Sequence, residues 1–270
     1  MSLPRDTAPC YSRGLQGKIV IVTGSTGIAA ATARLATRAG ARVIIASSDE
    51  DTAWELAQET ATEPWIGELA LSTAADAIVT HCVSKFGRVD ALFNASGLSG
   101  RRFGDGPVHE TSEEGWELTL DHNLGVMFRM CRAVIGRMLQ QQVGVDGVRG
   151  AILNMGSVLA DAPEPRHFAT HAYAAAKGAV VAMSRSMAAF YAPQRIRVNV
   201  LAPGLVRTPA SERAGNPELL AFIEKKQPLT GGMIDAEDVA RTALFLLSED
   251  ARAITGEAIA VDGGWSVTGV

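Results

Sequence analysis

Short apolar runs alternate with longer amphipathic stretches along nearly the whole chain, and this alternation constrains the fold more than any other feature. Strands are predicted at 18–23, 42–46, 64–69, 89–95, 150–156, 195–201 and 257–261. Helices are predicted at 27–39, 49–62, 73–87, 113–140, 172–192 and 235–248. Runs such as Val43-Ile44-Ile45 and Ala151-Ile152-Leu153 are apolar at consecutive positions, so both faces of each strand need covering. That pattern fits a parallel sheet buried between two helix layers. Right-handed crossovers through helices then give a doubly wound α/β fold. With no internal repeat and no linker, a single domain over 15–270 is expected, preceded by a polar arm over 1–14.

Two connections are too long for plain turns. The stretch near 98–113 is glycine-rich and carries Arg101 and Arg102, and the stretch near 205–234 holds Pro209, Pro217 and Pro228 with a short helix at about 216–226. Both follow strands at their carboxyl ends, where open α/β sheets bind ligands, and both are expected to be substrate loops. Composition narrows the partners. A net charge of -4 leaves no basic stripe for a nucleic acid, and no apolar run reaches the ~18 residues of a membrane span. The opening MSLPRDTAPCYSRG lacks the apolar core of a signal peptide. Cys10, Cys82 and Cys131 have no metal or redox spacing, which makes a reducing cytoplasm the expected home.

Within the first strand–helix unit lies VTGSTGIAAATARLA, Val22 to Ala36. Glycines after a strand let a tight turn form and let backbone approach a pyrophosphate at a helix N-terminus. The same residues also serve an ordinary strand–turn–helix corner, so this loop by itself leaves both readings open. A second pattern lies about 150 residues downstream in AYAAAKGAVVAMSRSMA. Tyr173 and Lys177 are four apart and share one helix face. A tyrosine ordinarily titrates near pH ~10, too high for acid–base work at neutrality, and a neighbouring ammonium favours its ionised form. A surface Tyr–Lys pair would have the same spacing.

Taken together and in order, these motifs closely resemble the short-chain dehydrogenase/reductase family from about Gly14 onward. The landmarks are Thr23-Gly24-x-x-Gly27-Ile28, NASG (Asn94 to Gly97), Asn123 in LDHNLG, Ser157 in ILNMGSV, Tyr173 with Lys177, APGLVRT (Ala202 to Thr208) and ITGEAIAVDGG. The resemblance implies a Rossmann-type doubly wound fold and an NAD(P)-dependent oxidoreductase acting on a ketone or secondary alcohol. It implies that Tyr173 is the general acid or base and that Ser157 stabilises the substrate oxygen. Lys177 would lower the Tyr173 pKa and hold the nicotinamide ribose, and Asn123 would anchor a relay water. Gly24, Ser25, Thr26, Gly27 and Ile28 would bind the pyrophosphate side. Asn94 and Ala95 would support the cofactor-side turn, while Pro203, Gly204, Val206 and Thr208 would fix the carboxamide end. A homotetramer is also implied, with the helices at 113–140 and 172–192 pairing across two-fold axes.

Three departures accompany the resemblance. Only Ser25 and Thr26 separate glycines that the family usually spaces by three residues, and Ala29 stands in place of the third glycine. Ser47 occupies the position where an acidic residue would select NAD, which tilts the expectation towards NADP. The adenine-side acid has Glu68 as its nearest candidate. His167 and His171 have the spacing of a zinc pair but lack a third ligand, so no metal is expected and both should border the substrate cleft. Arg101 and Arg102 read as a solvated basic pair, with an acidic substrate group as the other reading. A 3-oxoacyl carrier-protein or thioester reductase is the alternative within the family, and a non-catalytic NAD(P)-binding protein is the alternative outside enzyme chemistry.

Overall fold

The structure, a computed structural model, describes residues 14–214 and 216–269; most of the expected N-terminal arm lies outside that range. Seven parallel strands form the central sheet. They are β1 (Ile19–Thr23), β2 (Arg42–Ser47), β3 (Glu63–Ile66), β4 (Ala91–Asn94), β5 (Gly150–Met155), β6 (Ile196–Pro203) and, last in the chain, β9 (Ala258–Val261). Their spatial order is β3-β2-β1-β4-β5-β6-β9, so the chain reverses direction of travel between β1 and β4. The carboxyl ends of those two strands open the crevice in which such sheets bind ligands. β1, β4, β5 and β6 are buried at every position, their apolar residues together with the polar Asn94, Asn154, Arg197 and Asn199.

Helices cover both faces. α1 (Gly27–Arg38), α2 (Glu50–Thr60) and α9 (Ala236–Leu247) contribute to one apolar layer. α3 (Ala74–Phe86), α5 (Val126–Leu139) and α6 (His171–Tyr191) contribute to the other. The helix expected over 113–140 is interrupted. α4 (Glu113–Leu120) runs into a π turn at Asp121–Gly125 before α5 begins. Inside that turn Asn123 Nδ2 donates to Thr119 O at 2.9 Å and to Leu98 O at 2.8 Å, so the widened turn lets one side chain serve two carbonyls.

The 205–234 connection has structure of its own. β7 (Val206–Arg207) pairs in parallel with β8 (Ile234–Asp235), and α7 (Pro209–Ala214) and α8 (Pro217–Lys226) lie between them. A third apolar cluster forms under α8, where Ile223 and Met233 meet Val158 and Trp265. This cluster seats the connection over the end of β5 and places apolar surface beside Ser157.

Candidate active site

The glycine loop leaves β1 at Thr23. Gly24 and Gly27 adopt φ of +95° and +53°, a region that L side chains rarely enter. At the start of α1, Thr26 makes no side-chain cap bond and the first turn holds no acidic residue, so the positive helix end faces the crevice uncompensated. That arrangement suits the pyrophosphate of a dinucleotide. Ala29 is tolerated at the third-glycine position because its methyl faces the turn: a Cβ on Gly24 would lie 3.4 Å from the Ala29 Cβ, an ordinary contact. Ile28 packs beside the same apolar layer.

The shortened loop turns Ser25 towards β2. Its hydroxyl lies 2.9 Å from the Ser47 hydroxyl and 2.6 Å from that of Thr52. Ser47 is buried and also accepts from Asp49 N at 3.1 Å. Three hydroxyls therefore cluster at the end of the second strand. Glu68 accepts from Ala70 N within its own turn. Asn94 lies deeper than its assumed role suggests, since its amide donates to Asn154 Oδ1 at 2.8 Å inside the sheet. The cofactor-side turn is pinned instead by Thr23, whose hydroxyl accepts from Ala95 N at 3.0 Å and Ser96 N at 3.1 Å.

Ser157, Tyr173, Lys177 and Asn123 gather at the carboxyl end of β5. Ser157 follows Gly156, where a Cβ would collide with Val200 at 2.6 Å. Lys177 is only 2% exposed and donates to Met155 O at 2.9 Å, with its ammonium 5.4 Å from the Tyr173 ring centre. Asn123 is buried, and its Oδ1 has no partner. A Cβ on Gly97 would lie 2.6 Å from that Oδ1 and 3.5 Å from Lys177 Nζ, so these two groups flank the same point. Burial pulls the Lys177 ammonium down to about 8. The expected lowering of the Tyr173 phenol by Lys177 is not found in this structure. Burial pushes the phenol above its ordinary value, and the Ser157 side chain offsets part of the rise.

Pro203 ends β6, and the next turn is braced by Gln227, a buried residue that sequence reading missed. Its Oε1 accepts from Leu205 N at 2.6 Å, and its Nε2 donates to Leu205 O and Gly232 O. A Cβ on Gly204 would strike the Gln227 amide. Val206 is buried under the turn. Thr208 N donates to Ser211 Oγ at 2.8 Å, and the Thr208 methyl sits 2.8 Å from where a Gly27 Cβ would be. The loop after β6 thus meets the glycine loop across the crevice.

Other expected residues do not converge into a second centre. Among the described residues no His, Cys, Asp or Glu cluster could hold a metal. His171 Nδ1 accepts from Val108 N, while the His167 ring stacks near Phe222 at 4.9 Å. Arg101 donates to His167 O and lies over the Phe168 ring, so it braces the cleft wall. Arg102 is exposed. Burial raises the Cys82 and Cys131 thiols to about 12, which keeps both protonated and unreactive. Cys10 lies outside the described residues. No described helix is long and apolar enough to cross a membrane.

The chain is similar to known proteins along most of its length. A family model described as Enoyl-(Acyl carrier protein) reductase matches residues 22–266. The chain is 36% identical to 3beta-hydroxysteroid dehydrogenase 1 of Eggerthella lenta over 265 residues, 94% of this chain and 95% of that one. It is 37% identical over 239 residues to a Xanthobacter autotrophicus protein named inactive 2-(S)-hydroxypropyl-CoM dehydrogenase 2, covering 86% of this chain and 98% of that one. The crystal structure of gox2181 superposes with a TM-score of 0.86 at 29% identity, covering 96% of this chain and 98% of the other. With the parallel sheet, the crevice at β1 and β4 and a match along most of its length, the chain belongs to the short-chain dehydrogenase/reductase family and is an NAD(P)-dependent oxidoreductase acting on CH–OH or keto groups.

Proposed function

We propose that Tyr173 is the general acid and base of this oxidoreductase, with Ser157, Lys177 and Asn123 as its partners, and that the substrate is a ketone or secondary alcohol. The observation that carries this reading is the meeting of a buried ammonium, an unpartnered buried amide oxygen and the Tyr173 ring in one corner of the crevice. The helix end at Gly27, the glycines and Lys177 suit a nicotinamide dinucleotide, which supplies the hydride when bound. Gly24, Ser25, Thr26, Gly27 and Ile28 would hold its pyrophosphate side. Asn94 and Ala95, with the Thr23-pinned turn, would support its middle, and Pro203, Gly204, Val206 and Thr208 its carboxamide end.

In the reducing direction Ser157 donates a hydrogen bond to the carbonyl oxygen, steadying the charge that develops there. Tyr173 gives its phenolic proton to that oxygen. Lys177 titrates low enough, about 8, to exchange protons near neutrality and restore the phenol. The free Asn123 Oδ1 is placed to accept from a bridging water that connects Lys177 outward. Oxidation of an alcohol runs the same path backwards.

Two finer assignments belong to this reading. NADP is favoured over NAD, because Ser47 leaves no carboxylate at the end of β2 to repel a 2'-phosphate and the Ser25–Ser47–Thr52 cluster supplies hydroxyl donors there. A homotetramer built from dimers is favoured by exposed Trp116, Phe128 and Phe190 on α4, α5 and α6. Reduction of a carrier-bound or thioester 3-oxoacyl group is the second reading, supported by the acyl-carrier-protein description of the matching family model. A panel of ketones, alcohols and 3-oxoacyl thioesters assayed with both cofactors tests the substrate class. Tyr173→Phe should keep cofactor binding and lose at least about 100-fold in turnover on any substrate found. Near-normal turnover would remove Tyr173 from the role, and binding of cofactor without turnover of any compound would favour a non-catalytic protein.

A further inference from the structure

The helix that carries Tyr173 and Lys177 begins without the usual help from its own sequence. Every α-helix starts with backbone N–H groups that have no partner inside it, and a polar side chain just before the first turn normally accepts from one. Thr170 holds that place in α6 but makes no side-chain cap bond, and the first turn holds no acidic residue. The partners come from elsewhere. His171 N donates to Gly106 O at 3.1 Å. Ala172 N donates to Asp105 Oδ1 at 2.9 Å, and Tyr173 N donates to Asp105 Oδ2 at 3.0 Å. Ala174 N is the first to close a helical bond, reaching Thr170 O at 3.0 Å. In return, Val108 N donates to His171 Nδ1 at 2.9 Å. The exposed start of the helix is thus satisfied by two consecutive residues of the loop after β4.

Asp105 is held for this position. It is only 6% exposed, and its own N–H donates to Gly100 O at 3.2 Å. Gly100 has φ of +73°, and a Cβ there would come within 2.8 Å of the Asp105 Cβ. Thr111 closes the following turn, its hydroxyl accepting from Gly106 N at 3.3 Å. A carboxylate that accepts two N–H bonds at the positive end of a helix makes a charge-assisted clasp. One of those two amides belongs to Tyr173 itself.

We propose that Asp105 is a positioning residue for Tyr173, tying the 98–113 loop to the first turn of α6 and setting where the phenol stands relative to Ser157. This rests on the assignment of Tyr173 as the acid and base. Tyr173 lies in the first turn, where helices fray, whereas Lys177 lies one turn deeper and is fixed to Met155 O. Loss of the clasp should therefore move the phenol and leave the lysine in place. Displacements of about 1 Å are enough to cost on the order of 100-fold in rate.

The test compares Asp105→Ala, Asp105→Asn and Tyr173→Phe, using the best substrate from the panel. Asparagine keeps one acceptor oxygen and so one of the two amide bonds. Asp105→Ala should lower kcat at least about tenfold while calorimetric affinity for the preferred cofactor stays within about twofold. Asp105→Asn should fall between it and the parent. Hydrogen exchange should quicken at the start of α6 in the alanine variant and not around Lys177. A parental kcat in Asp105→Ala, with Tyr173→Phe inactive, overturns the inference. Turnover by Tyr173→Phe instead removes the acid–base assignment beneath it. If Asp105→Ala does not fold, Asp105→Asn decides, and a parental kcat or parental exchange at residues 171–173 overturns the inference. Equal loss of cofactor affinity and kcat in both variants would mark Asp105 as merely structural and overturn it as well.

Discussion

Burial moves the two central side chains in opposite directions. Burial favours the neutral form of each, raising the Tyr173 phenol and lowering the Lys177 ammonium. A lysine near 8 exchanges protons readily, while a raised phenol keeps its proton until a developing oxyanion takes it, which suits carbonyl reduction. The proposed cofactor preference also rests on single side chains. Ser47 belongs to a buried hydroxyl cluster with Ser25 and Thr52, so a carboxylate there would repel a 2'-phosphate and accept from ribose hydroxyls. Ser47→Asp should shift the ratio of NADP to NAD affinity towards NAD by about tenfold or more. Calorimetric titration of both cofactors into both proteins measures this, and an unchanged ratio would dissociate Ser47 from the ribose.

The elements matter through their interruptions. The π turn at Asp121–Gly125 widens the helix just where Asn123 must leave one oxygen free, and such turns are frequent at functional sites. Opposite it, the turn after β4 offers Gly97, where an added methyl would stand 2.6 Å from Asn123 Oδ1 and 3.5 Å from Lys177 Nζ. Gly97 is exposed in the cleft, so the methyl should disturb the proton route rather than the core. Gly97→Ala is expected to lower kcat about tenfold and shift Tm by no more than a few degrees. Steady-state kinetics beside a thermal melt checks this. Parental kcat would separate Asn123 from proton transfer.

For the whole molecule the open matter is assembly. α5 and α6 pack their buried faces on the sheet, yet Phe128 and Phe190 remain exposed, the latter at 68%. Large exposed apolar side chains on neighbouring helices suit pairing with a second copy, and closed symmetry is usual among oligomers. Light scattering behind a sizing column should give four chain masses at micromolar protein. Phe128→Asp combined with Phe190→Asp should reduce that mass while leaving the circular dichroism of the chain unchanged. A monomer mass for the parent protein would refute the tetramer.

The order of strands and helices was legible in the sequence because burial on two faces writes unbroken apolar runs, and helix periodicity writes Tyr173 and Lys177 onto one face. Ser157, Asn123 and the glycine loop were singled out by the family resemblance of short motifs, since periodicity alone gives a lone serine, asparagine or glycine turn no role. The π turn within 113–140 was not, because it goes with a contact from Asn123 to Leu98 O, 25 residues away along the chain. Asp105 was invisible as the cap of α6, as were Thr23 as the pin of the β4 turn and Gln227 as the brace of Leu205. Each acts on backbone groups 22 to 73 residues away along the chain. The direction of the Tyr173 shift was likewise beyond a one-dimensional reading. Spacing reveals a neighbouring charge, but the depth at which a side chain lies is set only when the whole sheet and its loops close around it, and desolvation follows from that depth.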